Sequence, residues 1–289
     1  MFDKIIAFFM SIITFIMSLF GLNTVKYDSF ENISYGEANR QVLDLYIPKE
    51  NNGTVGLILM IHGGAWIAGD KSAYTDDAKG IAENYGYAAA TINYRYLSED
   101  VTMADILDDI ESAVAKIKEI GTQNSVDINK MILTGHSAGG HLSMLYSYSK
   151  AKTSAITPVA VIDYCGPTDF TDAEFFNSDI GADGIAKLYS WAIGTEVTVN
   201  NYLSYSKELL EISPIAYAAT AVPTVIAHGE KDATVPYSNA TTLVSVLNMA
   251  NVKNDFISFP NSNHALGNDK DCSDKVTELF IQYANEYLK

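Results

Sequence analysis

A chain of 289 residues, 48% of them apolar and 11% aromatic, can build one large α/β domain and is too hydrophobic to stay disordered. Its formal net charge of −16 repels phosphate, which excludes nucleic acid and anionic lipid headgroups as main partners. The two cysteines, Cys165 and Cys272, lie far apart and match neither a metal-ligand spacing nor a disulfide framework.

Residues 1–23 stand apart from the rest. Ile5 to Phe20 has only Ser11, Thr14 and Ser18 as polar interruptions, and Gly21 and Leu22 follow. As a helix, Ile5 to Leu22 would reach about 27 Å, enough for a thin bilayer. No small-residue cleavage site precedes Lys26, so the segment reads as an uncleaved membrane anchor. A cleaved secretory signal is the first alternative and a buried helix of the fold the second. Lys4 and the α-amine, partly offset by Asp3 and Lys26, favour a cytoplasmic N-terminus. The expectation is therefore a domain, residues 24–289, that faces outside on its anchor or is secreted.

Beyond the anchor, strand and helix patterns alternate. Gln41 to Pro48 alternates apolar and polar residues, as a half-exposed strand does. Val55 to Ile61 is a continuous apolar run, expected where a strand is covered on both faces. Tyr87 to Tyr94, Lys130 to Thr134, Pro158 to Tyr164 and Pro223 to Ala227 look similar, with Asp255 to Phe259 a weaker case. Ile106, Ile110, Val114 and Ile117 form one stripe of a helix, and Val276, Phe280, Tyr283 and Tyr287 form another. This alternation predicts a doubly wound, mostly parallel sheet with helices on both faces. One insertion, about 167–220, breaks the rhythm and carries Phe170, Phe175, Phe176, Tyr189, Trp191, Tyr202 and Tyr205. It reads as a small helical cluster burying its own rings, as a cap over a pocket, or as both.

Gly135-His136-Ser137-Ala138-Gly139 fits G-x-S-x-G, a pattern too common by chance to stand alone. Its context is stronger: the apolar strand Met131-Ile132-Leu133 precedes it, and a helix-like segment, Leu142 to Tyr148, follows. A serine at such a junction sits on a strained turn whose neighbours must be small, with the helix N-terminus behind it. Its hydroxyl needs a base, and the base needs an orienting acid, in the chain order Ser, acid, His. Of the five histidines, only His228 and His264 come well after Ser137. His264 lies in a polar loop after the last strand and reads as the base. Asp232, after the strand ending at His228, reads as the acid, with Glu230 and Asp169 as alternatives, and His228 orders the turn below Asp232. Ile61 to Trp66 ends an apolar strand in His62-Gly63-Gly64, where bare backbone N–H groups suit an oxyanion. No H-x-H or H-E-x-x-H spacing supports a metal.

HGGAW at 62–66, NYR at 93–95, GHSAGGH at 135–141, HGEKDATVP at 228–236 and SNHALG around His264 together resemble the α/β-hydrolase superfamily. Within it they are similar to the esterase branch related to hormone-sensitive lipase, and to bacterial carboxylesterases of the feruloyl or acetyl-xylan esterase-like kind. The resemblance spans roughly 33–289. It implies an α/β-hydrolase fold of about eight strands with a cap. It also implies Ser137 as nucleophile, Asp232 as acid, His264 as base, and the N–H groups of Gly64, Ala65 and Ala138 as the oxyanion hole. Ala65 stands where many relatives have a third glycine, and its Cβ would crowd bulky acyl groups. The activity so implied is that of a serine carboxylesterase on short-chain or aryl esters, carbohydrate-linked ones included, with no cofactor. A peptidase or amidase of the same superfamily, or a ligand-binding member without catalysis, is the alternative.

Overall fold

A computed structural model describes residues 27–289; the apolar segment at 1–23 lies outside the described residues. Eight strands run β1 (Tyr27–Ser34), β2 (Val42–Pro48), β3 (Leu57–Ile61), β4 (Ala88–Ile92), β5 (Lys130–His136), β6 (Thr157–Tyr164), β7 (Thr224–Gly229) and β8 (Asn254–Phe259). They form one sheet in the order β1-β2-β4-β3-β5-β6-β7-β8. β1 and β2 pair antiparallel, as do β2 and β4, and every later pairing is parallel.

Seven α-helices accompany the sheet in the described residues: α1 (Thr75–Asn84), α2 (Met103–Gln123), α3 (Ala138–Lys150), α4 (Ala182–Ile193), α5 (Ser206–Glu211), α6 (Tyr237–Met249) and α7 (Lys270–Tyr287). Strand alternation divides them between two layers. Leu57, Leu59 and Ile61 of β3 pack with Ile106, Ile110, Val114 and Ile117 of α2 and with Leu142 of α3. Ile58 and Met60 of the same strand face the other way, toward Ile81 of α1 and Val276 and Tyr283 of α7. Both faces of β3 are thus covered, which is why its sequence is unbroken apolar. The α2 helix, 21 residues long, starts one turn before the expected stripe, where Thr102 caps it: the Thr102 N–H donates to Asp105 at 2.8 Å.

The insertion comprises α4, α5 and three short 3₁₀ turns between Ala173 and Thr220. Phe170, Phe175 and Tyr189 are buried with Trp66, while Phe176, Trp191, Tyr202 and Tyr205 are only partly buried around them. The inner rings serve both the insertion's own packing and the floor of a pocket described next. Among the described residues, no helix is long and apolar enough to cross a membrane.

Candidate active site

Three loops at the C-terminal ends of β3, β5 and β7–β8 converge here, and each is forced into shape by its own sequence. At the end of β5, Ser137 has φ 58° and ψ −123°, a conformation that costs a non-glycine residue about 1–3 kcal/mol. It is held there from both sides. Its N–H donates to the Tyr164 carbonyl of β6 at 2.8 Å, and its carbonyl accepts from the His141 N–H at 3.0 Å to start α3. The surrounding glycines are there for clearance: a Cβ on Gly135 or Gly139 would collide with the Ile61 carbonyl oxygen of β3. Ser137 therefore stands at the N-terminus of α3, where the helix dipole favours negative charge.

The second loop, His62 to Asp70, passes beside the elbow, since a Cβ on Gly63 would lie 2.6 Å from the His136 carbonyl oxygen and 3.4 Å from Ser137 Cβ. Gly64, Ala65 and Trp66 all have positive φ, 112°, 50° and 62°. The Asn93-Tyr94-Arg95 motif supports this strained turn. The Tyr94 hydroxyl donates to the His62 carbonyl at 3.0 Å. Asn93 bridges the far end, accepting from the Lys71 N–H at 2.6 Å and donating to Asp70 at 2.8 Å. Arg95 ties the motif down through buried Asp109 at 2.7 Å. Trp66 Nε1 donates to His141 Nδ1 at 3.1 Å, and His141 Nε2 then donates to the Ile212 carbonyl of the insertion at 2.8 Å. Burial holds His141 neutral, with its pKa lowered to about 4.

The third group joins the loops after β7 and β8. His264 Nδ1 lies 2.7 Å from Asp232 Oδ2, with the imidazole partly exposed (19%) and the carboxylate fully buried. Asp232 Oδ1 accepts from the Thr234 and Val235 N–H groups, both at 2.9 Å. His228 Nε2 lies 3.3 Å from Asp232 Oδ2 and 3.1 Å from the Val235 carbonyl, so it orders this turn as expected. Burial pushes the Asp232 pKa up, but the His228 and His264 hydrogen bonds outweigh it and leave the carboxyl well below the usual range. The other two acids are engaged elsewhere: Glu230 accepts from Ser258 Oγ at 2.6 Å, and Asp169 from Thr171 at 2.6 Å and 2.9 Å. Asp269 fastens the His264 loop by accepting from the Asn261 N–H at 3.0 Å and Ser262 Oγ at 2.6 Å.

Two neighbours were not legible as site residues in the sequence. His136, one residue before Ser137, places Nε2 2.6 Å from the His264 carbonyl oxygen, with the two rings 4.6 Å apart. Cys165 is buried after β6. Its sulfur lies within 4.8 Å of ligating atoms of His136 and His264, and likewise of His228 and Asp232. These groups are close enough to hold a soft cation, but the hydrogen bonds above already occupy the Asp232 carboxylate and His136 Nε2. Ser137 itself opens onto a pocket lined by Ala65, Trp66, Phe170, Phe175, Tyr189 and Val235, almost all apolar. The sequence-identified Ser137, Gly64, Ala65 and Ala138 thus stand on two adjoining loops, and Asp232 and His264 are bonded to each other.

A family model described as BD-FAE matches residues 43–247, more than half of the chain. The chain belongs to the BD-FAE family. BD-FAE proteins are α/β-hydrolases of the hormone-sensitive-lipase-like esterase kind, in agreement with the strand order above. Among curated relatives, a probable carboxylic ester hydrolase LipM of Mycobacterium tuberculosis is 29% identical over 75% of this chain and 51% of its own length. A probable isoprenylcysteine α-carbonyl methylesterase of Oryza sativa subsp. japonica is 25% identical over 81% of this chain and 57% of its own. The BD-FAE chain therefore spans about half the length of these relatives. Among solved structures, a truncated carbohydrate esterase from gut microbiota shares the fold with a TM-score of 0.70 and 23% identity, covering 91% of this chain and 98% of that one. A bacterial heroin esterase does so at 0.68 and 17%, covering 96% and 90%.

Proposed function

We propose that this protein is a serine carboxylesterase that hydrolyses short-chain or aryl esters through an acyl-enzyme. The observation that carries the reading is the Asp232–His264 hydrogen bond at the same end of the sheet as the strained Ser137 elbow. Membership in an esterase family and the ester hydrolase names of its relatives support it.

The chemistry follows from the proton positions. Ionised Asp232 can only accept, so His264 carries its hydrogen on Nδ1 and leaves the Nε2 lone pair for the Ser137 proton. Ser137 Oγ bonds to the ester carbonyl carbon while its proton passes to His264 Nε2. The carbonyl oxygen becomes an oxyanion, received by the N–H groups of Gly64, Ala65 and Ala138. Collapse of that intermediate breaks the bond to the alcohol oxygen, which takes the proton from His264. Water then attacks the acyl-enzyme by the same route, releasing the acid and restoring Ser137.

Substrate size follows from the pocket. Ala65 lines the pocket together with Ser137, and Trp66, Phe170, Phe175 and Tyr189 add aromatic walls. Short acyl groups and flat rings suit such walls better than long lipid chains, carbohydrate-linked esters of such acids included. The 5–22 segment leads us to place the domain outside a membrane on its own anchor, which fractionation with an alkaline wash tests: release of the full-length chain by the wash would refute it.

The decisive experiment compares wild type with Ser137→Ala on p-nitrophenyl acetate and p-nitroanilide substrates, with fluorophosphonate labelling alongside. Ester hydrolysis should fall by about six orders of magnitude in the variant, as in a serine-hydrolase triad. Labelling should be confined to Ser137. Faster anilide than ester turnover would favour an amidase, and an unlabelled, inactive wild type would favour a binding protein.

A further inference from the structure

We propose that His136 is a positioning residue for this chemistry: it pins the backbone carrying His264 to the elbow carrying Ser137. The proposal rests on the esterase reading above.

A carbonyl oxygen only accepts, so the hydrogen at the 2.6 Å contact belongs to His136 Nε2, and the bond spans 128 residues of sequence. His136 is itself fixed. It is buried at the end of β5, and its own N–H is held by the Tyr74 hydroxyl at 3.2 Å. The glycine loop abuts its carbonyl oxygen, and its peptide bond leads directly into Ser137. One residue therefore touches all three loops of the site.

Such a brace matters because Asp232 restrains only one edge of the imidazole. A shift of the His264 main chain would swing Nε2 about the side-chain torsions while the Nδ1 bond persisted. Misplacing a reacting group by about 1 Å costs on the order of 100-fold in rate. Burial, together with the nearby His264, lowers the His136 pKa to about 3. His136 is thus neutral at working pH and does not compete with His264 for the serine proton.

The test uses the full-length chain with His136→Phe, which keeps a ring but loses the donor, and His136→Gln, whose amide nitrogen can replace Nε2. We expect His136→Phe to lower kcat by about 10- to 100-fold with KM within about twofold, and His136→Gln to recover most of the loss. Hydrogen exchange of residues 261–267 should quicken in His136→Phe and stay near wild type in His136→Gln. If His136→Phe fails to fold, His136→Asn, too short to reach the carbonyl, takes its place. An unchanged kcat and unchanged exchange in the donor-less variant would overturn the proposal, as would equal loss in both variants. A wild type without ester hydrolysis would sink the esterase reading instead, while the exchange measurement would still decide whether His136 braces the loop.

Discussion

His228 Nε2 stands 3.3 Å from the same Asp232 oxygen that His264 Nδ1 reaches at 2.7 Å, so two imidazoles converge on one carboxylate oxygen. The two are not equivalent. His228 is fully buried and also bonded to the Val235 carbonyl, whereas His264 is partly open to solvent. The buried partner holds the Asp232 turn, and on the proposed function the partly exposed one would be the base.

Asp232→Asn should keep the fold but lower kcat by about 10⁴-fold. An amide in place of the carboxylate favours the wrong imidazole tautomer and withdraws the charge that stabilises imidazolium. Steady-state kinetics with a melting curve checks this. A variant that retains a tenth of wild-type kcat would show that another acid serves His264.

His228→Leu should act mainly on stability. It removes one donor to the buried carboxylate, worth about 1.5–3 kcal/mol for a charged acceptor. Asp232 keeps the Thr234 and Val235 N–H groups and His264. Urea denaturation should show that loss, while kcat falls by no more than about tenfold, far short of the loss expected at Ser137 or Asp232.

Asp163 makes a contribution to stability that weakens as pH rises. Its Oδ1 accepts from the Gly166 N–H at 3.0 Å and its Oδ2 has no partner among the described residues. Burial, partly opposed by His228, lifts its pKa to about 7. From an ordinary value of about 4 up to that point, the unfolded chain has lost the proton and the folded one keeps it. The Asp163 contribution to stability therefore falls as pH rises through this window, by about 1.4 kcal/mol per pH unit, and levels off above it. Asp77, also raised to about 7 by burial and Asp76, adds the same slope, and the buried His62 and His141, lowered to about 4, and His136, lowered to about 3, add the opposite one. The diagnostic quantity is thus the difference between wild type and Asp163→Asn. The variant should gain a few kcal/mol relative to wild type between about pH 4 and pH 8. Parallel stability curves would contradict the assignment.

Gly139→Ala should abolish soluble expression or cost more than about 4 kcal/mol. The obstacle is backbone, the Ile61 carbonyl of β3 and the His62 peptide, and cannot rotate away. By contrast, Gly267→Ala, where a Cβ meets nothing within 4 Å, should be close to neutral in the same melting assay.

The fold was legible wherever burial was two-sided. β3 and β5 announce themselves as apolar runs because helices cover both faces. β1 (YDSFENIS) escaped notice because it is an edge strand, mostly solvent-exposed and irregular between Phe30 and Ile33, so no period survives. The helix α6 was hidden for a related reason: its sequence, YSNATTLVSVLNM, mixes polar and apolar residues without a sharp stripe. At the site, chain order pointed to Asp232 and His264 as partners, and the two are bonded to each other. His136 could not be found this way, since nothing at that place in the motif reveals a partner 128 residues away. The NYR motif was visible, but its work under the His62–Asp70 loop depends on strand neighbours that only the sheet order supplies.

The bond chain from Trp66 through His141 to the Ile212 carbonyl has a practical consequence for anyone recombining these domains. The aromatic insertion is not a detachable module. A graft that exchanges residues 167–220 for a relative's segment leaves the His141 proton without its acceptor unless the donor segment returns a carbonyl to the same spot. Successful chimaeras should therefore be sorted by that single main-chain oxygen before any matching of side chains is attempted.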